Sequence, residues 1–345
     1  MLLEGLFLPL TTPFYPDGRL NLHKLEHNAR RYSKAPLAGL VGLAAPGESS
    51  MLSDEETREA LRSIAGAAVA EKVLVAGVSR DSVVGTLDLA EYAARHRYDA
   101  VLVRPSSVCR GATELAAYFQ MVADRSALPV VLDGTAEELP VELVLELAAH
   151  PGVIGLVDGR ATRERMERIG FETQVVKREV TVTTVFSAVT RRMLALQEVS
   201  ASGPLVAVGS LAEGGAATAV SSAKGTMKTR TKGVGFQVLA GSTMGMLGGL
   251  MAGAAGAMPA FAACAPQGCY EVVAAWKDGD GGLAEEKQTR LRAVAELVEV
   301  RLGIAGLKYG CDLNGYYGGP ARLPRLPLTG AERSEMEGLM QGLRH

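Results

Sequence analysis

Asp133 and Asp158 each close a short apolar run and each precede a glycine, in Val131-Leu132-Asp133-Gly134 and Leu156-Val157-Asp158-Gly159. Two carboxylates at the ends of neighbouring strands can share a proton, flank a sugar-like substrate, or hold Mg²⁺ or Mn²⁺ through oxygen. The same Asp-Gly pairs also read as turns that cap a following helix. Glu48 and Ser49, Arg104 before Pro105, Ser106 and Ser107 after it, and Ser242-Thr243 sit at comparable positions and are the expected substrate contacts. Arg104 is the choice for an anionic group, because a guanidinium clamps a carboxylate through two parallel bonds; an ion pair with an acid such as Asp133 is the plain alternative, and Arg160 is a second choice. His23, His27, His96, His150 and His345 fall on helical stretches, their ends or the C-terminus, so no strand end offers zinc ligands. No metal site and no cofactor is expected.

The elements that must carry these residues form a regular beat. Apolar runs at Gly5–Leu10, Gly39–Ala44, Val73–Val78, Ala100–Val103, Pro129–Leu132, Val153–Val157, Phe236–Ala240 and Ala254–Ala260 alternate, over the first six, with amphipathic stretches such as Asn21–Tyr32, Asp54–Ala70 and Thr86–His96. Eight strands in βα alternation predict an α/β fold, a (β/α)8 TIM barrel spanning residues 1–265. An open doubly wound sheet is the alternative, but no GxGxxG follows the first strand. The sixth and seventh runs stand too far apart, which marks an insertion at about 171–235. It holds a β-rich piece (Val175–Val185), a helix around Ala188–Gln197, a Gly/Ser/Ala-rich piece (Gly209–Gly225) and the basic residues Lys224, Lys228, Arg230 and Lys232. It reads as a solvated loop, a lid over the barrel mouth, an anion-binding element or a subunit contact. Residues 266–345, with helices expected at Gln267–Lys277, Leu283–Leu302 and Glu332–Leu343, make a C-terminal helical extension.

Composition excludes several classes. With 36 Lys and Arg against 38 Asp and Glu, the net charge of -2 gives no field to attract nucleic acid. The chargeless stretch Val238–Ala265 is rich in Gly, Ala and Met and breaks into strand, helix and strand, as a buried piece of parallel sheet does, so no membrane span is expected. Four cysteines without a CxxC, and no leader-like N-terminus, predict a cytoplasmic protein.

The opening Gly5–Phe14 with Thr12-Pro13-Phe14, then Asp17-Gly18, Gly47-Glu48-Ser49, Leu52-Ser53-Asp54-Glu55-Glu56, His150–Gly155, Phe236–Gly241 and Arg322–Leu328 resemble, in order, the dihydrodipicolinate synthase / N-acetylneuraminate lyase family. That resemblance implies a class I aldolase barrel. In such enzymes a lysine at the end of the sixth strand forms a Schiff base with a 2-keto acid, and the amine must be desolvated to be nucleophilic. Here the matching position is Val157, which cannot form an imine. The family's two threonines fall on Ala45 and Pro46, its fifth-strand tyrosine on Asp133, its carboxylate-binding arginine on Glu138, and its fourth-strand tyrosines on Ser106 and Ser107. These groups serve one transition state together. A displaced amine at Lys177 or Lys308 is the escape route, with Lys308 expected on a helix surface.

Three readings fit these residues. The first is a divergent lyase (aldolase or dehydratase) acting on or binding a 2-keto acid or sugar acid without the usual lysine. The second is a catalytically inactive member with a binding, regulatory or assembly role. The third is a Mg²⁺-dependent lyase using Glu48, Asp133 and Asp158. The resemblance also implies a homo-oligomer, although the tyrosine that reaches across subunits is here Ser107.

Overall fold

The computed structural model describes residues 1–201 and 227–343. The parallel strands β1 (Gly5–Pro9), β2 (Gly39–Gly42), β3 (Val73–Gly77), β4 (Ala100–Val103), β5 (Val130–Gly134) and β6 (Val153–Asp158) succeed one another around a closed barrel. A two-stranded antiparallel hairpin interrupts them: β7 (Arg178–Thr183) pairs with β8 (Thr229–Val234). The barrel then resumes with β9 (Gln237–Ala240) beside β6 and closes with β10 (Gly256–Ala257), which pairs with β1. This is the (β/α)8 barrel expected from the spacing of apolar runs.

Local chemistry sets the helices between the strands. α1 (Leu22–Tyr32) starts where the Asn21 side chain accepts the Lys24 N–H, and α3 (Val83–Arg95) where Ser82 accepts that of Gly85. α2 (Asp54–Ala67) opens with a complete capping box between Ser53 and Glu56, with three acids in its first turn against the positive helix end. α4 (Ala112–Arg125), α5 (Val141–Ala148) and α6 (Arg163–Glu172) complete the ring beside the first six strands. α8 (Met246–Met251) joins β9 to β10, and the chargeless Val238–Ala265 is strand, helix and strand as expected. Among the described residues no helix is long and apolar enough to cross a membrane.

Alternation along the strands divides the core in two. Phe7, Val41, Val75, Leu102, Val131, Val157 and Leu239 belong to one cluster inside the barrel. Leu8, Leu40, Leu74, Val101, Leu132, Leu156 and Val238 belong to the other, between strands and helices.

The described residues that follow α6, 173–201 and 227–236, pack at the face opposite the mouth, so the lid reading finds no support in them. The reason is topological: α6 returns the chain to the N-terminal ends of the strands, and the residues beyond it must pack there. Val180 and Val182 pack with Leu2, Arg178 donates to Ala148 O and His150 O, and Lys232 pairs with Glu4. α7 (Arg191–Ala201) docks through its first turn. Thr190 Oγ1 donates to Ala70 O, Arg192 donates to Ala68 O and Lys72 O, and the Arg191 N–H meets buried Asp99, which also accepts from Leu74 N. Thr229–Val234 is a strand although its charges read as a loop, because its apolar partner face is supplied by β7. Gly209–Gly225 and Lys224 lie outside the described residues.

After the barrel come α9 (Pro266–Lys277), α10 (Gly281–Glu296), a π-helical turn (Leu297–Leu302), α11 (Gly303–Leu313) and α12 (Gly330–Met340). α11 is the helix expected around Lys308, although Gly303, Gly306 and Gly310 lower its helix propensity. Gly310 is needed for close approach: a Cβ there would stand 2.6 Å from Cys264 Sγ and 2.8 Å from Met336 Cε.

Arg192→Ala removes the donors to Ala68 O and Lys72 O and should lower unfolding free energy by about 1–3 kcal/mol, read by urea denaturation. Unchanged stability would show that α7 does not brace the barrel floor.

Candidate functional site at the barrel mouth

The mouth collects the C-terminal ends of the strands, and the alternation decides which side chains enter it. β5 and β6 pair with Asp133 opposite Val157 and Gly134 opposite Asp158. Val131 and Val157 are interior residues, so Asp133 is on the interior face; Leu132 and Leu156 face the helices, and so does Asp158. The two aspartates therefore end adjacent strands but point to opposite sides, and the expected carboxylate pair is not formed.

Asp158 is instead a structural tie. Its Oδ1 accepts the N–H groups of Arg160 (3.0 Å) and Ala161 (3.1 Å), and its Oδ2 accepts from Arg165 Nε. Arg165 is buried and also donates to Leu139 O and pairs with Glu138, whose other oxygen takes Arg160. Arg160 and Glu138 are thus committed to each other at the rim.

Asp133 is 7% exposed. Its Oδ1 accepts the Thr135 hydroxyl (2.6 Å) and N–H (3.0 Å), and Oδ2 has no hydrogen bond among the described residues. Burial pushes its carboxyl above the usual range, opposed by the Thr135 bonds and more weakly by the Arg104 charge. Arg104 itself is exposed; its backbone N–H is held by Ser79 Oγ, and its guanidinium charge, which acts on Asp133, Asp81 and Tyr118, forms no ion pair among the described residues. The loop after β4 is pinned from below: Ser106 Oγ donates to Asp81 O, and the Ser107 N–H to Asp81 Oδ1. Ser106 is therefore buried in structural bonds, while Ser107 is exposed at the rim.

Several expected substrate contacts are committed elsewhere. Thr243 is buried and donates to Glu299 Oε1 (2.7 Å), which also accepts from Phe261 N, so it anchors the π-helical turn. Ser242 Oγ caps Gly245 N. Ala45 is exposed at the start of the turn Ala45–Gly47, and Ser49 is half-buried in the next turn.

Glu48 is the largest departure. It adopts φ 53° and is 1% exposed. Its Oε1 stands 2.6 Å from Lys308 Nζ, and its Oε2 accepts Arg322 N (3.1 Å) and faces Arg325 Nη1 at 3.4 Å. Lys308 is not on a helix surface as expected. It is 1% exposed, donates to Pro320 O at 2.7 Å, and stands 4.3 Å from the centre of the Phe14 ring, with the Arg322 guanidinium 4.4 Å from the same centre. Burial pulls its amine below the usual lysine range, and the Glu48 carboxylate pulls it back up. Arg322 further donates to Gly18 O, Met51 O and Glu56. Lys308 was legible in principle, as the lone charge in the run Leu302–Cys311; Phe14, Glu56, Arg322 and Arg325 give no such signal. Lys177 is exposed on the opposite face, before β7. Among the described residues no cluster of three or more His, Cys, Asp or Glu could hold a metal ion.

A barrel whose mouth is closed at one side by a C-terminal helical layer defines a class, and comparison places the chain in it. The model of the dihydrodipicolinate synthetase family matches residues 2–196 and 204–343, and the chain belongs to this family. It is 24% identical over 345 residues to 4-hydroxy-tetrahydrodipicolinate synthase of Acidiphilium cryptum, covering 99% of this chain and 98% of that one. It is 33% identical to L-threo-3-deoxy-hexylosonate aldolase of Hypocrea jecorina over 167 residues, 44% of this chain and 52% of that one, and 33% identical over 171 residues to the Xanthomonas axonopodis synthase, 48% and 57%. At that higher identity the chain spans about half the length of its relatives. The solved Bacillus anthracis dihydrodipicolinate synthase superposes with TM-score 0.77 at 18% identity over 100% of both chains. An Escherichia coli prophage protein of the same family, solved with pyruvate, superposes at 0.75 with 21% identity over 99% of each.

Two outcomes test the site. Because the Asp133 carboxyl is raised in the folded state, the native protein holds a proton that the unfolded chain has lost above pH ~4, so this residue makes stability fall as pH rises through that window. Asp133→Asn should therefore melt at or above the wild-type temperature at pH 7, with the advantage vanishing near pH ~3.5; a large loss at pH 7 would contradict the buried-acid assignment. Lys308→Met leaves Glu48 buried and short of its main partner and should cost about 3–5 kcal/mol, with a substantial part restored in Lys308→Met/Glu48→Gln.

Proposed function

We propose that the barrel mouth binds a 2-keto acid or sugar acid and acts on it as a lyase of the aldolase or dehydratase class without a sixth-strand imine. Asp133 supplies the proton: burial favours its protonated form, and from there it can donate a proton to a carbonyl oxygen or a departing hydroxyl, then recover it as a base. Arg104 takes the substrate carboxylate. The observation that carries this reading is the place of Asp133, a buried acid on the interior face directly opposite Val157 in the β5–β6 register. Family membership supports the substrate class, since the relatives include an aldolase of a 3-deoxy-hexylosonate and a protein solved with pyruvate.

A second reading, a member that binds such acids without turning them over, draws on the amines. Lys308 is locked on Glu48 and Lys177 lies on the far face, so neither reaches the place of Val157. The magnesium reading loses its basis, because Arg165 occupies Asp158 and Lys308 occupies Glu48.

The two readings part in one experiment. Binding of pyruvate and of a 3-deoxy-2-keto hexonate is measured by calorimetry, and turnover by loss of the keto acid. Arg104→Ala should weaken binding at least tenfold, and Asp133→Asn should leave binding while lowering turnover about 10²–10⁴-fold. Undiminished turnover in Asp133→Asn would overturn the acid–base assignment, and tight binding with no turnover in the wild type would establish the second reading.

A further inference from the structure

Arg104 has no ion partner among the described residues, yet the backbone that carries it is fixed by the neighbouring loop. β3 and β4 pair as far as Gly77 opposite Leu102, and the Val78 N–H donates to Leu102 O at 3.2 Å. Beyond that point the chain enters the loop after β4, where Pro105 has no N–H to offer. Oxygens of the loop after β3 extend the ladder instead. Ser79 Oγ accepts the Arg104 N–H (2.9 Å), Asp81 O accepts the Ser106 hydroxyl (2.8 Å), and Asp81 Oδ1 accepts the Ser107 N–H (2.8 Å).

The loop that provides these oxygens is itself anchored. The Arg80 N–H donates to Thr86 Oγ1 (2.9 Å) in α3, and the Tyr118 hydroxyl of α4 donates to Arg80 O (2.9 Å). The Arg80 guanidinium is committed to Asp54 and Thr57 of α2, so it does not compete with Arg104 for a ligand. Asp81 is exposed, and the Ser107 N–H and hydroxyl, then the Arg104 charge, hold its carboxyl below the usual range. Its carboxylate therefore bonds one end of the loop after β4 and, without an ion pair, offsets the charge of Arg104 at the other.

We infer that Asp81 is a positioning residue of the mouth with two opposed effects: its hydrogen bonds hold the loop that presents Arg104, and its negative charge weakens the grip of Arg104 on an anion. The inference rests on the reading of Arg104 as the carboxylate site. Position 81 then tunes how strongly the mouth prefers an acid over an uncharged analogue. The two effects separate chemically. An asparagine keeps an oxygen for the Ser107 N–H and loses the charge, whereas an alanine loses both.

The test uses the full chain, calorimetry with pyruvate and with its uncharged methyl ester, and amide hydrogen exchange at Ser107. Asp81→Asn should bind pyruvate about two- to fivefold tighter than the wild type, with methyl pyruvate unchanged. Asp81→Ala should bind pyruvate roughly three- to tenfold more weakly than Asp81→Asn, and its Ser107 amide should exchange about tenfold faster than in either other protein. Unchanged Ser107 exchange in Asp81→Ala would overturn the positioning role. Pyruvate binding no tighter in Asp81→Asn, or methyl pyruvate tightened equally, would overturn the charge effect. If the wild type binds neither probe, the reading of Arg104 fails and the charge effect falls with it, while exchange at Ser107 still decides whether Asp81 holds the loop.

Discussion

Closing eight short parallel strands into a barrel leaves room inside for one side chain in two, and that alternation governs the rest of this structure. Along β5 and β6 it turns Val131, Asp133 and Val157 inward and Leu132, Leu156 and Asp158 outward. A shift of one residue in either strand would exchange their roles. The acid in the mouth and the acid that ties α6 to the barrel thus come from the same dipeptide, Asp-Gly, and differ only in phase. One is buried with a free oxygen and a raised pKa; the other is saturated by Arg165 and two backbone N–H groups.

The second organising feature is the buried ion pair of Glu48 and Lys308. A buried pair gains little net stability over apolar side chains, but breaking it is expensive, so it acts as a register pin. It joins the loop after β2 to α11, and Arg322 and Arg325 bring the chain after Pro320 onto the same carboxylate. Phe14, between the two cations, ties in the segment after β1. One side of the mouth is therefore built by the C-terminal layer, while the side of Asp133 and Arg104 is built by the barrel alone. The floor is closed separately by the hairpin and the first turn of α7.

Much of this was legible from residue patterns. Strand positions followed from apolar runs, capping signals such as Ser53 with Glu56 marked helix starts, and the chargeless Val238–Ala265 resolved correctly into buried elements. The site was less legible for a physical reason. Strand-end position is written in the sequence, but inward or outward phase depends on register, and a bulge at Val130/Val131 in the β5–β6 pairing moves it. Partnering is less visible still, since Glu48 and Lys308 stand far apart in the chain and meet only because α11 turns Lys308 inward instead of to its surface. The side on which the segment after α6 packs was in fact deducible, because a βα unit must return to the strand N-termini.

The functional account rests on a mouth in which valine stands beside a buried acid and both outlying lysines are elsewhere. On the proposed function, a mouth organised in that way handles keto acids by hydrogen bonding and proton transfer, with no covalent intermediate. The direct test is intact mass after incubation with pyruvate and a panel of 2-keto acids followed by borohydride reduction. The account predicts an unmodified chain for every acid; a reduced adduct, mapped by peptide to Lys308, Lys177 or any other lysine, would contradict it.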